Sequence, residues 1–106
     1  MNRVVISEAL SVYPMGRTDE DGPDNGERFF NEFIAANLTD QRKTVIVFDG
    51  VRAFGSSFLD QVFNVIPSRL GLSREKFRAL VEVEAIGRAY QFYKNMANDF
   101  SNNIPR

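Results

Sequence analysis

Two kinds of apolar pattern alternate along the chain, and they predict short strands and helices. The β-branched run 4–6 and the apolar stretch 9–13, which ends at Pro14, predict two short strands at a sheet edge, where a proline is tolerated. Residues 44–49, TVIVFD, form a run without polar alternation, which is typical of a strand buried on both faces. We therefore expect residues 44–49 to form an interior strand of the sheet.

A first apolar stripe at helical spacing predicts a helix over residues 26–37. Asp24 or Asn25 can cap its start, and Glu27 follows Asp24 by three residues, as in a capping box. The stripe consists of Phe29, Phe30, Phe33, Ile34 and Leu38.

A second helix is predicted from about Phe58, because apolar residues again recur every three or four positions. Ser57 is its natural N-cap, and Pro67 lies just past its expected end. Residues 73–78 predict one further capped helical turn.

The remainder of the chain predicts a strand and a closing helix. Residues 80–84, LVEVE, alternate between apolar and charged side chains, which indicates an edge or half-exposed strand. We expect the last six residues, 101–106, to fray. The stripe of the closing helix consists of Ile86, Ala89, Tyr90, Tyr93, Ala97 and Phe100, with Phe92 off the stripe and open to a partner.

The alternation of strands and helices predicts an α/β fold. With 106 residues and 43% hydrophobic content, the chain is long enough for one core and too short for two. The sequence therefore predicts a single domain over residues 1–106, a four- or five-stranded mixed sheet flanked by three to four helices.

Composition excludes several classes of function. The chain has no Cys and no His, so disulfides, thiolate zinc sites and cysteine nucleophiles are excluded, and a reducing cytoplasm is the expected location. Its 13 Lys and Arg are balanced by 14 Asp and Glu without a basic stripe, which argues against nucleic acid binding. No apolar stretch is long enough for a membrane span, and no feature calls for a cofactor.

The segment 16–27 is rich in turn-forming and acidic residues. Its carboxylates could hold calcium or magnesium, but the spacing matches no EF-hand, so we favour a solvated acidic loop without a metal. Arg17 could pair with Asp21 or Glu27 and hold the loop, or it could meet an anion at the helix start.

Two motifs follow one another along the chain. The first consists of Gly16, Arg17, Asp21, Gly22, Pro23, Gly26, Glu27 and Phe30, and the second of Phe48, Asp49, Gly50 and Val51 with Gly55, Ser56, Ser57, Phe58, Leu59, Asp60 and Phe63. These residues resemble the STAS-like family of uncharacterised bacterial domains, and the resemblance covers nearly the whole chain. Such chains read G-R-x-x-x-D-G-P-x-S-G-E near the start and S-S-F-L-[DE] in the middle. Asn25 stands where the family usually has serine, and both residue types cap helices well.

The family is similar to the STAS domains of anti-sigma-factor antagonists, and this similarity implies a switch. In the antagonists, a serine at the start of the helix after the central strand is phosphorylated by a histidine-kinase-like ATPase, which is also the partner. Ser56 and Ser57 match that serine pair by position. The antagonists usually read D-S-S-G-L, whereas this chain has Gly55 before the pair and Phe58 after it.

Three classes of function follow, of which the first is favoured. The resemblance implies a non-enzymatic interaction module that docks on a histidine-kinase-like ATPase or similar partner through residues 55–58, with phosphorylation of a serine as its switch. The alternative is a small-molecule or nucleotide sensor that uses the loop 16–27. An enzyme is disfavoured because no serine has an obvious activating base. The sequence leaves the choice between monomer and dimer open.

Overall fold

Three parallel strands form the centre of the molecule. The computed structural model describes residues 2–106, in which β1 (Asn2–Val5), β2 (Thr44–Val47) and β3 (Val81–Glu84) are arranged in the order β1-β2-β3. Every residue of β2 is buried, so the prediction of an interior strand is confirmed. The prediction of a four- or five-stranded mixed sheet is wrong, because both strand pairs within residues 2–106 are parallel and the sheet has three strands.

The stretch 9–13, predicted as a second strand, does not join the sheet. The chain turns back directly after β1 in a short helix α1 (Ile6–Ala9), and the amides of Leu10 and Ser11 donate to the Ile6 carbonyl. The carbonyl of Val12 then accepts from the amide of Arg52 at 2.8 Å. The apolar residues of this stretch therefore pack beside the connector that follows β2 instead of extending the sheet.

The first predicted helix is divided in two. It forms α2 (Gly26–Phe33) and α3 (Ala35–Thr39), with a break at Ile34, whose φ is −115°. Asn25 is the N-cap of α2, and its side-chain oxygen accepts from the amide of Arg28. Of the two caps that the sequence allows, the structure therefore uses Asn25.

The second helix is longer than predicted and changes its winding. It begins with α4 (Ser56–Asp60), continues through a π-helical turn (Gln61–Val65) and ends with α5 (Ile66–Arg69). Pro67 lies in the first turn of α5, so the prediction that it follows the helix end is wrong. The wider hydrogen bonding of the π turn is compatible with a proline here, because it displaces the carbonyl that the ring would meet in a regular helix.

The last third of the chain forms α6 (Arg74–Leu80), β3 and α7 (Arg88–Ser101). Ser73 caps α6 as predicted, since its hydroxyl accepts from the amide of Lys76 at 3.1 Å, but the helix is longer than one turn. β3 lies at the sheet edge with Val81 and Val83 buried, which confirms the edge prediction.

The C-terminal residues do not fray. Ile104 is fully buried in the core. Arg74 donates to the carbonyls of Ile104 and Asn102, and Arg78 donates to the carbonyl of Asn98, so two guanidinium groups bind the negative end of α7. The prediction that residues 101–106 fray is therefore wrong, because charge-assisted hydrogen bonds and an apolar anchor hold them.

Phenylalanine side chains fill the space between the sheet and the helices, as the sequence predicts. Phe63 is buried mid-stripe, whereas Phe33 is only half-buried, and Phe92 is 61% exposed. None of the helices within residues 2–106 combines the length and the apolar character needed to cross a membrane. The fully buried phenylalanines are Phe29, Phe30, Phe48, Phe58 and Phe77.

Candidate functional site

The two motif segments meet at the end of the sheet where the parallel strands terminate. β2 ends at Val47, and the chain passes through residues 48–55 into α4. The chain just before the loop 16–27 lies against that connector, since the amide of Gly55 donates to the carbonyl of Pro14 at 3.0 Å, and the loop itself reaches α4 through Arg17 and Asp60. Ligands and partners of open α/β sheets bind preferentially at this carboxyl edge.

The loop 16–27 is ordered by its own hydrogen bonds. The Asp21 carboxylate accepts from the amides of Arg17 at 2.8 Å and Thr18 at 3.3 Å. These bonds hold the pKa of the Asp21 carboxyl below its usual range. Gly16 has a φ of +86°, and a Cβ atom there would lie 2.4 Å from the Cβ of Asp21, so this turn requires glycine.

The same loop closes the start of α2. The amide of Gly26 donates to the carbonyl of Gly16, and the amide of Glu27 donates to the carbonyl of Arg17, both at 3.0 Å. The side-chain amide of Asn25 donates to Asp19 at 2.9 Å and to the Gly22 carbonyl at 2.8 Å, while its oxygen caps the helix. The first amides of α2 are therefore occupied within the chain.

Arg17 connects the loop to α4 through a partner that the sequence analysis did not identify. Its guanidinium donates to the carboxylate of Asp60 at 2.7 Å. The expected pairing of the Arg17 side chain with Asp21 or Glu27 is wrong, because Asp21 instead accepts from backbone amides. Forty-three residues separate Arg17 from Asp60, so no local pattern could have indicated the pair.

The serine pair begins α4, but neither side chain caps it. Gly55 is the N-cap residue with extended backbone, and the helix starts at Ser56. Ser57 therefore lies inside the first turn, and the prediction that it caps the helix is wrong. Within residues 2–106 the hydroxyls of Ser56 and Ser57 have no hydrogen-bond partner that would activate or fix them.

The first turn of α4 has one exposed and one buried side. Ser56 is exposed and Ser57 is half-buried, whereas Phe58 is fully buried against Phe29 and Phe54. The backbone amides of Ser56, Ser57 and Phe58 have no acceptor within the described chain, since the first bond of the helix runs from Leu59 to Gly55 at 3.3 Å. Because Ser56 is exposed and Phe58 is fully buried, the start of α4 is open to solvent at Ser56.

A shallow groove of about 390 Å³ lies between the loop and the start of α4. It brings together six of the eleven predicted site residues, three from the loop 16–27 and three from residues 55–58. It adds Met15, which the sequence analysis overlooked. Met15 is an exposed apolar side chain directly beside Gly55. The lining residues are Met15, Gly16, Arg17, Asp21, Gly55, Ser56 and Ser57.

The remaining predicted site residues lie outside this groove. Gly26 is buried, and a Cβ atom there would lie 2.9 Å from the Cβ of Gln61, so glycine permits the close contact between α2 and the second helix. Gly22 has a φ of +138°, and the carbonyl of the exposed Pro23 accepts from the Arg28 side chain. Glu27 faces a separate groove with Arg28 and Glu32.

Asp49, in the short motif after β2, links the end of β2 to the segment that follows β3. Its carboxylate accepts from the amides of Ile86 at 2.8 Å and Gly87 at 3.0 Å. These backbone hydrogen bonds lower the pKa of the Asp49 carboxyl. The motif residue thereby sets the position at which α7 begins beside α4, because the two amides lie just before that helix.

Metal coordination has no geometric support in the described part of the chain. Residues 2–106 contain no group of three or more acidic side chains arranged to hold a metal ion. Instead, Asp21 accepts hydrogen bonds from the backbone amides of the loop, and Asp19 accepts one from Asn25. The loop is therefore organised around its own amides.

Comparison with known proteins identifies a family. No curated protein and no solved structure matches the chain. A family model described as a STAS-like domain of unknown function (DUF4325) matches residues 25–91, which contain the serine pair, β2 and β3. The chain therefore belongs to the STAS-like domain family of unknown function.

Proposed function

We propose that this chain is a non-enzymatic regulatory interaction module that docks on a protein partner through the groove defined above. The observation that carries the proposal is the convergence of both family motifs on one surface around the open start of α4. A histidine-kinase-like ATPase is the candidate partner, because that is the partner class that the antagonist resemblance implies.

The environment of Ser56 supports phosphorylation as the switch of this module. Ser56 is exposed, so a kinase could reach its hydroxyl, whereas Ser57 is half-buried. A phosphate on Ser56 would lie near the unoccupied amides at the positive end of the helix, where negative charge is tolerated. The same charge would oppose docking, because a partner seated on the groove would remove it from water.

An enzymatic activity of this chain has little support. The chain has no His, and neither serine hydroxyl contacts a base within the described residues. Nucleophilic catalysis by a serine needs such a base within hydrogen-bond reach. A binding role therefore accounts for the exposed Ser56 better than a catalytic one.

The alternative, a small-molecule or nucleotide sensor that uses the loop 16–27, has weaker support. Phosphate-binding loops present free backbone amides to the ligand. Here the amides of Arg17, Thr18, Gly26 and Glu27 donate to groups of the chain itself. The loop thus has few amides left to offer to a phosphate.

The proposal is tested by titrating purified histidine-kinase-like ATPases of the source organism against the chain, beginning with any encoded beside it. We expect saturable binding that Ser56→Asp weakens at least tenfold in Kd, since an unpaired charge would be buried. The matched control is Asn103→Asp, which adds the same charge to an exposed site beyond the end of α7. Equal loss of binding in both variants, or none in Ser56→Asp, would contradict docking at this groove.

A further inference from the structure

Arg17 is fixed at its backbone and only partly engaged at its side chain. Its amide donates to the Asp21 carboxylate, and its carbonyl accepts from the amide of Glu27. The side chain is 42% exposed, and Nη1 donates to Asp60 at 2.7 Å. Within residues 2–106, Nε and Nη2 make no hydrogen bond. One edge of the guanidinium is therefore free to bind another acceptor.

The Arg17–Asp60 pair lies one helical turn from Ser56. Asp60 follows Ser56 by four residues in α4, and residues at this spacing are neighbours on one face of a helix. Arg17 and Ser56 also line the same groove. The guanidinium therefore reaches the face of α4 that carries the Ser56 side chain.

The Asp60 carboxylate keeps Arg17 at this position. Its Oδ2 accepts from Arg17 and its Oδ1 accepts from the side-chain amide of Asn64 at 2.8 Å, while the Asp60 side chain is only 18% exposed. Because a largely buried carboxylate oxygen without a donor costs free energy, Nη1 should stay on Asp60. A further anion would then meet Nε and Nη2, which form one edge of the planar guanidinium.

We propose that a phosphate on Ser56 is bound by the Nε–Nη2 edge of Arg17 in the same molecule. This inference rests on the proposed function, in which Ser56 is the switch residue. Two phosphate oxygens match a guanidinium edge in a bidentate contact. A phosphate and a carboxylate four residues apart on a helix would otherwise repel each other, and the Arg17 guanidinium between them binds both.

The contact withdraws the cation of the groove from a partner. Arg17 and Asp21 are the two charged residues among those that line the groove, all of which lie in the described chain. A phosphate adds a charge of about −1.5 to −2, so the lining becomes net negative. An acidic group of a partner would then meet an occupied guanidinium. Ser56→Asp adds a charge on a shorter side chain and reproduces the charge of the switch without this contact.

Phosphorus NMR of the full chain, with phosphoserine incorporated at position 56 during translation, tests the proposal by a pH titration. We expect the second acid dissociation constant of the phosphate to be at least about threefold larger with Arg17 than in Arg17→Gln, because a nearby cation favours the dianion. The matched control is Arg28→Gln, which removes an arginine of similar exposure, 41%, that lines a separate groove. This control should titrate as the unsubstituted phosphorylated chain does.

The side-chain NMR signals of arginine test the contact without a substitution. On phosphorylation, the Nε–H signal of Arg17 should shift and exchange more slowly with water, whereas that of Arg28 should stay in place. Equal dissociation constants in the unsubstituted chain and Arg17→Gln, an equal change in Arg28→Gln, or an unmoved Arg17 signal would overturn the proposal. These measurements use the chain alone, so failure to bind any ATPase would contradict the proposed function and leave this contact standing.

Discussion

The starts of α2 and α4 lie side by side in this molecule and are completed in opposite ways. At α2, Asn25 caps the helix and the loop backbone takes up the next amides. At α4, Gly55 offers no side chain, and the amides of the first turn have no acceptor within residues 2–106. The closed start of α2 fixes the loop to the helix, whereas the first turn of α4 has amides without an acceptor within residues 2–106.

The ring of Phe58 lies beneath α4 and supports both helix starts. Its replacement is expected to have the largest effect on the free energy of unfolding. Phe58 is fully buried and contacts Phe29 of α2, with ring centroids 5.7 Å apart. Phe58→Ala should therefore lower the free energy of unfolding by about 3–5 kcal/mol, as measured by urea denaturation. Phe92→Ala is the control, because the exposed ring should cost less than about 1 kcal/mol. Similar losses in the two variants would refute this assignment of the core.

Removing the cap of the closed start should have the next largest effect. Asn25→Ala deletes the acceptor for the Arg28 amide and two donor contacts, at Asp19 and Gly22. We expect a loss of about 1–2 kcal/mol in unfolding free energy. Asn25→Ser retains the capping oxygen and should recover part of that loss. If the serine variant melted no higher than the alanine variant, the cap would not be what closes α2.

As the pH falls, the loop that closes the start of α2 should lose stability before the start of α4 does. The pKa of the Asp21 carboxyl is lowered in the folded state from its ordinary value of 3.8, so the unfolded chain takes up this proton first. The stabilisation is present above the unfolded pKa and declines as the pH falls through 3.8 toward the folded pKa. Asp21→Asn should flatten the pH dependence of the melting temperature in that interval. If Asp21→Asn left the pH dependence of the melting temperature unchanged, the hydrogen bonds of the Asp21 carboxylate would not couple its protonation to folding.

Changes at the open start should alter stability least. Ser57 makes no capping bond, so Ser57→Ala should change the unfolding free energy by less than about 0.5 kcal/mol. Ser56→Asp adds a charge near the positive helix end and should stay within about 0.5 kcal/mol of wild type. Differential scanning fluorimetry of both variants measures the change in stability relative to wild type. If Ser57→Ala lowered the unfolding free energy by about 1 kcal/mol, Ser57 would be acting as a cap of α4. The two helix starts would then not differ in capping.

The parts of the fold that the sequence predicts are those with a local signal. The run 44–49 contains the interior strand, and the stripes of Phe29 and Phe63 mark buried helix faces. The Asn25 cap was one of two local options. Each of these features is determined within a few residues, so apolar spacing and capping chemistry suffice to predict it.

The remaining features depend on contacts between distant segments. The stretch 9–13 has strand composition, but its backbone contacts the connector at Arg52. Arg17 pairs with Asp60, and Arg74 holds the carbonyl of Ile104, thirty residues away. At α4, Gly55 is the N-cap residue, and a Cβ atom there would lie 3.3 Å from the Cα of Met15, a contact that no capping pattern reveals.

The anchoring of Ile104 means that the unit of folding extends beyond the unit of sequence similarity. The family match ends at residue 91, within α7, whereas Ala97 and Ile104 belong to the core. A fragment cut at the limits of the match would also lack β1 and expose β2 as an edge. Expression vectors for this domain should therefore include β1 at one end and the residues through Ile104 at the other, since both contribute to the fold.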